Sequence, residues 1–117
     1  MVSTAGLKPK NGSTQLSWPV PPRPASLVLC GDFNLAPDDA EYRQLFQAPL
    51  MDAWRSVRPG EPDPLTTGLF DRVQWPNGGH CRDYFAVTPD VARRVAQVEM
   101  DAATDASDHQ PLRLLLR

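Results

Sequence analysis

Prolines decide which parts of this sequence can form regular secondary structure. Five of the thirteen prolines lie within residues 1–25, where Gly6, Gly12 and three serines also occur and no helical or strand period is visible. Proline fixes its own φ angle and has no backbone N–H to donate, so it interrupts helices and sheets. We therefore expect residues 1–25 to be a mostly unstructured leader and residues 26–117 to form one domain.

The sequence after the leader predicts a strand, a helix, a loop and then further strands. The apolar run at residues 27–31 is typical of a short strand buried on both faces. Asp38 and Glu41 have the spacing of a helix-capping box, and the helix that follows ends before Pro49. Residues 50–57 fit either a strand or one helical turn. Later strands are predicted at residues 81–88, 94–100 and 111–117. This order predicts an α/β or α+β fold with one mainly antiparallel sheet and one or two helices.

Charge is distributed unevenly along the chain. Only Lys8, Lys10 and Arg23 precede Asp32, and the nine basic and fourteen acidic residues that remain give residues 32–117 a net charge of −5. This acidity argues against binding of duplex DNA by this chain alone, because non-specific phosphate binding needs a basic patch. No apolar run approaches the ~20 residues of a membrane span, and the leader lacks the apolar centre of a signal peptide. We therefore expect a cytoplasmic protein.

The two cysteines are expected to be structural. Cys30 and Cys81 both lie in predicted strands, so we interpret them as reduced residues of the core. A zinc site formed by these cysteines with His80 and His109 matches no ligand spacing.

Three polar motifs allow either a structural or a chemical interpretation. Asp32 and Asn34 fit a tight turn in which their side chains bond to nearby backbone groups. Asp108 and His109 likewise fit a surface turn before the last strand. Asp83 lies in the middle of a predicted strand, where an ionised carboxylate among core residues is costly unless it is paired. The sequence therefore predicts a polar partner for Asp83.

These residues come together if the last strand runs antiparallel to the first. The start of the last strand then lies beside the end of the first, which brings Asp108 and His109 next to Asp32 and Asn34. Asp83 is then expected to reach His109 and fix its ring. Such a set of carboxylates, imidazole and amide suits hydrolysis of a phosphate ester with Mg²⁺ or Mn²⁺.

Three segments of the chain resemble the motifs of one known family. They are "LCGDFNLAP", "CRDYFAVT" and "ASDHQPL", in that order and within about residues 26–117. Together they resemble the three C-terminal motifs of the endonuclease/exonuclease/phosphatase superfamily, which has the deoxyribonuclease-I-like fold. The resemblance implies the C-terminal half of a four-layer α/β sandwich. It also implies a hydrolase of phosphoester bonds, either a phosphodiesterase such as a nuclease or a phosphatase, with Mg²⁺ or Mn²⁺ as cofactor.

The same resemblance implies roles for five residues. Asp32 would orient or deprotonate the attacking water and contribute to metal binding, and Asn34 would position the water and the phosphate. Asp83 would hold His109, and His109 would stabilise the charged transition state. Asp108 would help to bind the metal.

The sequence departs from the family pattern in two respects. Cys81 stands where the family usually has an arginine. The family's first half supplies one sheet and the glutamate that is its principal metal ligand, and Glu41, Glu61 and Glu99 do not match that glutamate. We therefore expect this chain to be incomplete as an enzyme, with an open sheet face that is covered by self-association or by a missing N-terminal half. The alternative is a non-catalytic remnant or partner-binding fragment.

The substrate class stays open at this point. Hydrolases of nucleic acids, phospholipids, sugar phosphates and nucleotides share these motifs. Thr66 and Thr67 fit either contact with a substrate or a loop cap.

Overall fold

The computed structural model describes residues 17–117 of the chain, and within that range it contains five strands and three short helices. The strands are β1 (Val28–Asp32), β2 (Met51–Asp52), β3 (Asp83–Val87), β4 (Val95–Met100) and β5 (Leu112–Leu116). The helices are α1 (Ala40–Leu45), α2 (Ala53–Val57) and α3 (Pro89–Ala92). No helix in the described range is long and apolar enough to cross a membrane. Most of the expected leader lies outside the described residues, and its described part, residues 17–25, has no helix or strand.

The strands form two small antiparallel sheets, which confirms the predicted α+β class. The first sheet has the order β1-β3-β2, and the second consists of β4 and β5. The sequence led us to expect one sheet and one or two helices, whereas residues 17–117 contain two sheets and three short helices. The extra helix, α3, begins directly after β3 with Pro89 in its first turn, and it separates β3 from β4.

Strand pairing differs from the expectation that the last strand would lie antiparallel to the first. The partner of β1 is β3, with Val28 opposite Val87 and Asp32 opposite Asp83. Instead of pairing with β1, β5 pairs with β4, which precedes it, and a hydrogen bond from Asp101 N to Pro111 O (3.0 Å) closes this hairpin. A short connection favours such local pairing because closing a short loop costs less conformational entropy.

β1 is exposed, so the prediction of a strand buried on both faces is wrong. It lies at the edge of its sheet with β3 as its neighbour, and each of its five residues is exposed. Cys30 is therefore not a core residue, although Cys81 is buried as expected, and both thiols are free. Burial raises the pKa of the Cys81 thiol to about 12, which keeps this thiol protonated.

The core packs on the central strand β3. One cluster joins β3 to α2, α3 and β4 through five small side chains, which are Ala53, Val87, Val91, Val95 and Val98. A second cluster contains Tyr42 from α1, Cys81 and Tyr84. Because Tyr84 and Val87 project from opposite faces of β3, this strand has the two-sided burial that the sequence predicted for β1.

The segment from α1 to α2 matches the structure predicted from the sequence only in part. The N-cap of α1 is Asp39 instead of Asp38, and its carboxylate accepts a hydrogen bond from Ala36 N (2.8 Å) without capping the helix by its side chain. The helix ends at Leu45, before Pro49 as predicted. Residues 50–57 form both of the structures that their sequence fits, the strand β2 and the helical turn α2.

The open edge of β1 predicts that the purified chain associates with itself. Val28 and Leu29 are 39% and 40% exposed, and exposed apolar edge strands pair with other chains. We expect the apparent mass measured by analytical ultracentrifugation to rise with protein concentration. The substitution Leu29→Lys should weaken this association, since a charged side chain blocks edge pairing.

Val73 provides the matched control for this prediction. It lies in a turn and is 95% exposed, so Val73→Lys should leave the association unchanged. A chain that remains monomeric at every concentration would contradict the prediction.

Candidate active site

Two carboxylates lie opposite each other where β1 ends and β3 begins. Asp32 is the last residue of β1, Asp83 is the first residue of β3, and the strand register pairs them directly. Opposite residues of an antiparallel pair project from the same face of the sheet. The Asp83 side chain is 16% exposed and the Asp32 side chain is 47% exposed, so Asp83 is the one withdrawn from water.

The ring of His109 contacts both carboxylates. Its Nδ1 is 2.8 Å from Asp83 Oδ2, and its Nε2 is 3.7 Å from Asp32 Oδ2. An ionised carboxylate only accepts hydrogen bonds, so Nδ1 carries a hydrogen and donates a hydrogen bond to Asp83. The longer distance is too great for a hydrogen bond between Nε2 and Asp32. Within residues 17–117, neither carboxylate therefore forms a hydrogen bond with Nε2.

The surrounding carboxylates raise the pKa of His109. The largest cause is the hydrogen bond with Asp83, which favours the protonated ring, and partial burial of the ring opposes it. The negative charges of Asp83, Asp32 and Asp108 raise this pKa further. The imidazolium form of His109 consequently persists to higher pH than that of an ordinary histidine.

Asp32 and Asn34 form a tight turn, as one interpretation of the sequence predicts, while Asp32 also belongs to the cluster. Asn34 N donates to Asp32 Oδ1 (2.7 Å), and Asn34 has a φ of 52°, in the left-handed region that asparagine tolerates. This turn leaves Asp32 Oδ2 facing His109. The Asn34 side chain is exposed, and among the described residues it makes no hydrogen bond to Asp83 or His109.

Asp108 contributes its backbone to the site and keeps its carboxylate at the surface. Its carbonyl accepts hydrogen bonds from Thr67 Oγ1 (3.0 Å) and Gly68 N (3.2 Å). The carboxylate is exposed and accepts a long hydrogen bond from Ser107 Oγ (3.4 Å). The structure therefore brings Asp32, Asp83 and His109 into direct contact, with Asn34 and Asp108 beside them.

The sequence matches the profile of one known protein family. The profile of the Endonuclease/Exonuclease/phosphatase family matches residues 14–109 of this 117-residue chain. The chain belongs to this family. The match begins within the expected leader, earlier than the three motifs indicated, and ends at His109. Among curated proteins, no sequence matches the chain.

Members of this family typically use divalent metals, but the described part of this member does not form a metal site by itself. Within residues 17–117, no group of three or more histidine, cysteine, aspartate or glutamate side chains is arranged to hold an ion. Asp32 and Asp108, the expected metal ligands, have exposed carboxylates. The residues present therefore do not complete the coordination that a divalent cation needs.

Two adjacent threonines contact the parts of the chain that carry the cluster, and sequence reasoning left their role open. Thr66 is fully buried, and its Oγ1 accepts a hydrogen bond from Asp83 N (3.1 Å). Thr67 forms isolated bridges with both His80 and His109. The sequence signal is a pair of threonines after a proline-rich loop, which does not reveal these partners.

The hydrogen bond between His109 and Asp83 predicts a particular pH dependence of stability. Because the pKa of His109 is raised above its ordinary value of 6.5 in the folded chain, the bond stabilises the fold fully below pH 6.5. This contribution is lost as the pH rises through the raised pKa. We expect the loss of unfolding free energy caused by His109→Gln to be largest near pH 6 and to shrink toward pH 9, measured by urea denaturation.

An Asp83→Asn background provides the control for this measurement. It removes the main cause of the raised pKa of His109, so His109→Gln should then have an effect that depends much less on pH. An equal pH dependence in both backgrounds would show that Asp83 is not its source.

Proposed function

We propose that this chain supplies the acid–base part of a phosphoester hydrolase active site. The observation that carries the proposal is the position of the His109 ring between two carboxylates. Asp83 forms a hydrogen bond with Nδ1, and Asp32 lies near Nε2 without forming a hydrogen bond with it. Membership of the endonuclease/exonuclease/phosphatase family supports the same reaction class.

His109 acts on the phosphate through Nε2. Asp83 accepts a hydrogen bond from Nδ1–H and so fixes both the orientation of the ring and the nitrogen that faces the substrate. The raised pKa of His109 increases the fraction of imidazolium at neutral pH. A protonated Nε2 donates to a phosphoryl oxygen, where negative charge increases in the transition state.

Asp32 accepts a proton from the attacking water. Its carboxylate is half exposed, and the turn to Asn34 N fixes it at the end of β1. A carboxylate in this position orients water as a general base. The exposed side chain of Asn34 positions this water and the phosphate.

The hydrolase also uses Mg²⁺ or Mn²⁺ in this proposal, with Asp32 and Asp108 among the ligands. When bound, a divalent cation supplies positive charge that neutralises phosphoryl oxygens. Such charge is needed here because Asp32, Asp83 and Asp108 surround one imidazole, and a group of carboxylates repels phosphate. The remaining ligands have to come from an added N-terminal half, because residues 17–117 do not complete a metal site and residues 1–16 contain no aspartate, glutamate, histidine or cysteine.

The incomplete ligand set predicts little or no hydrolysis by the chain alone. We expect activity to appear in a fusion protein in which the N-terminal half of a family member, carrying the metal-binding glutamate, precedes the full chain. The assay compares a phosphodiester and a phosphomonoester substrate with Mg²⁺, with Mn²⁺ and with EDTA. Hydrolysis by the isolated chain that survives EDTA would contradict the metal dependence.

Substitutions in the active fusion protein test the assigned roles. His109→Ala and Asp32→Asn should each lower kcat by about 10²–10⁴-fold, the range for a lost acid, base or charge-stabilising donor. Asp105→Asn is the matched control, because Asp105 is an exposed acid in the same loop as His109, and it should leave kcat unchanged.

A partner-binding function without catalysis is the second candidate, and the exposure of every residue of β1 favours it. Under this alternative, the fusion protein folds but stays inactive. An active fusion protein whose rate does not respond to His109→Ala and Asp32→Asn would instead exclude the proposed roles of these two residues.

A further inference from the structure

Thr66 binds the start of β3 from inside the protein. Its side chain is fully buried, and its Oγ1 accepts hydrogen bonds from two consecutive backbone groups, Arg82 N (2.9 Å) and Asp83 N (3.1 Å). One hydroxyl therefore fixes the backbone at the residue whose carboxylate bonds to His109.

Thr67, the next residue, binds the loop that carries His109. Its Oγ1 donates to Asp108 O (3.0 Å), and its backbone forms a bridge with His109. The loop is held once more through Thr66 O, which accepts a hydrogen bond from Gln110 N (2.7 Å). The residues before and after His109 are thus both bonded to this pair of threonines.

We propose that Thr66 and Thr67 are positioning residues, which hold Asp83 and His109 in register so that their side chains form a hydrogen bond. The inference rests on the proposed function in one respect, because it treats Asp83 and His109 as catalytic residues. Asp83 belongs to the first sheet and His109 precedes β5 of the second, and no ladder joins these two sheets among the described residues. The threonine pair therefore makes the connection that a shared sheet would otherwise provide.

The hydroxyl of Thr66 is the chemical group that this role requires. Valine has nearly the same shape but no acceptor, so Thr66→Val leaves the N–H groups of Arg82 and Asp83 without their partner at a buried position. Serine keeps the acceptor and loses only a methyl group. A role in packing alone would tolerate valine better than serine, whereas a positioning role requires the opposite order.

The test is nuclear magnetic resonance of the full chain, and it needs no substrate. In the unchanged chain, the Nδ1 proton of His109 should give a downfield resonance at low temperature, because it is bonded to a carboxylate. We expect Thr66→Val to abolish this resonance and to speed hydrogen exchange at the amides of Arg82 and Asp83 by about tenfold or more. Thr66→Ser should retain both signatures.

Thr88→Val is the matched control. Thr88 is also buried, and its Oγ1 accepts a hydrogen bond from Leu27 N (3.1 Å), but it follows the opposite end of β3. This variant should lose stability and keep the His109 resonance. If Thr66→Val keeps the resonance and the slow exchange, or if Thr88→Val abolishes them equally, the inference is overturned.

Two further comparisons keep the test decisive. If Thr66→Val does not fold, the comparison is made between Thr66→Ala and Thr66→Ser instead. Both variants lack the methyl group and only serine keeps the hydroxyl, so equal spectra for the two would overturn the inference. Thr67→Val tests the second threonine and should also weaken the resonance. The spectra do not depend on hydrolysis, so inactivity of the fusion protein would refute the proposed function and leave this result intact.

Discussion

The hydrogen bond between His109 Nδ1 and Asp83 Oδ2 connects the two halves of the candidate site. Asp83 begins β3 in the first sheet, and His109 precedes β5 in the second. The Asp83 side chain is 16% exposed, and burying a carboxylate to that extent is costly without a donor. The imidazole is that donor, so one contact both satisfies the Asp83 carboxylate and orients the ring of His109.

The two carboxylates beside His109 are held by different means. Asp83 follows the buried Cys81 and lies in the central strand, whose faces pack against both core clusters. Asp32 lies at the end of an edge strand that no core cluster of residues 17–117 covers, and its local turn with Asn34 fixes its carboxylate instead. The orientation of Asp83 therefore depends on the packed core, while that of Asp32 depends on a contact between residues close together in the chain.

The chain combines an assembled histidine–aspartate pair with an incomplete ligand set for a cation. His109 and Asp83 are in hydrogen-bonding contact, yet the described residues form no group that could hold a metal ion. These two arrangements have different structural requirements. A histidine–aspartate pair needs one strand and one adjoining loop, whereas a divalent cation needs several carboxylates converging from separate elements.

The sequence by itself determined the family, the α+β class and three of the five residues expected to come together, because each depends on short segments with strong local signals. The carboxylate of Asp83 in a strand of core residues was enough to require a partner, and His109 is that partner. Only the tertiary structure decided that β1 pairs with β3 and lies exposed at an edge, since an apolar run has the same pattern whether or not another element covers it. The role of Thr66 was likewise visible only in the tertiary structure. Its hydrogen-bond partners, the backbone N–H groups of Arg82 and Asp83, lie sixteen and seventeen positions away, and no sequence period links them to Thr66.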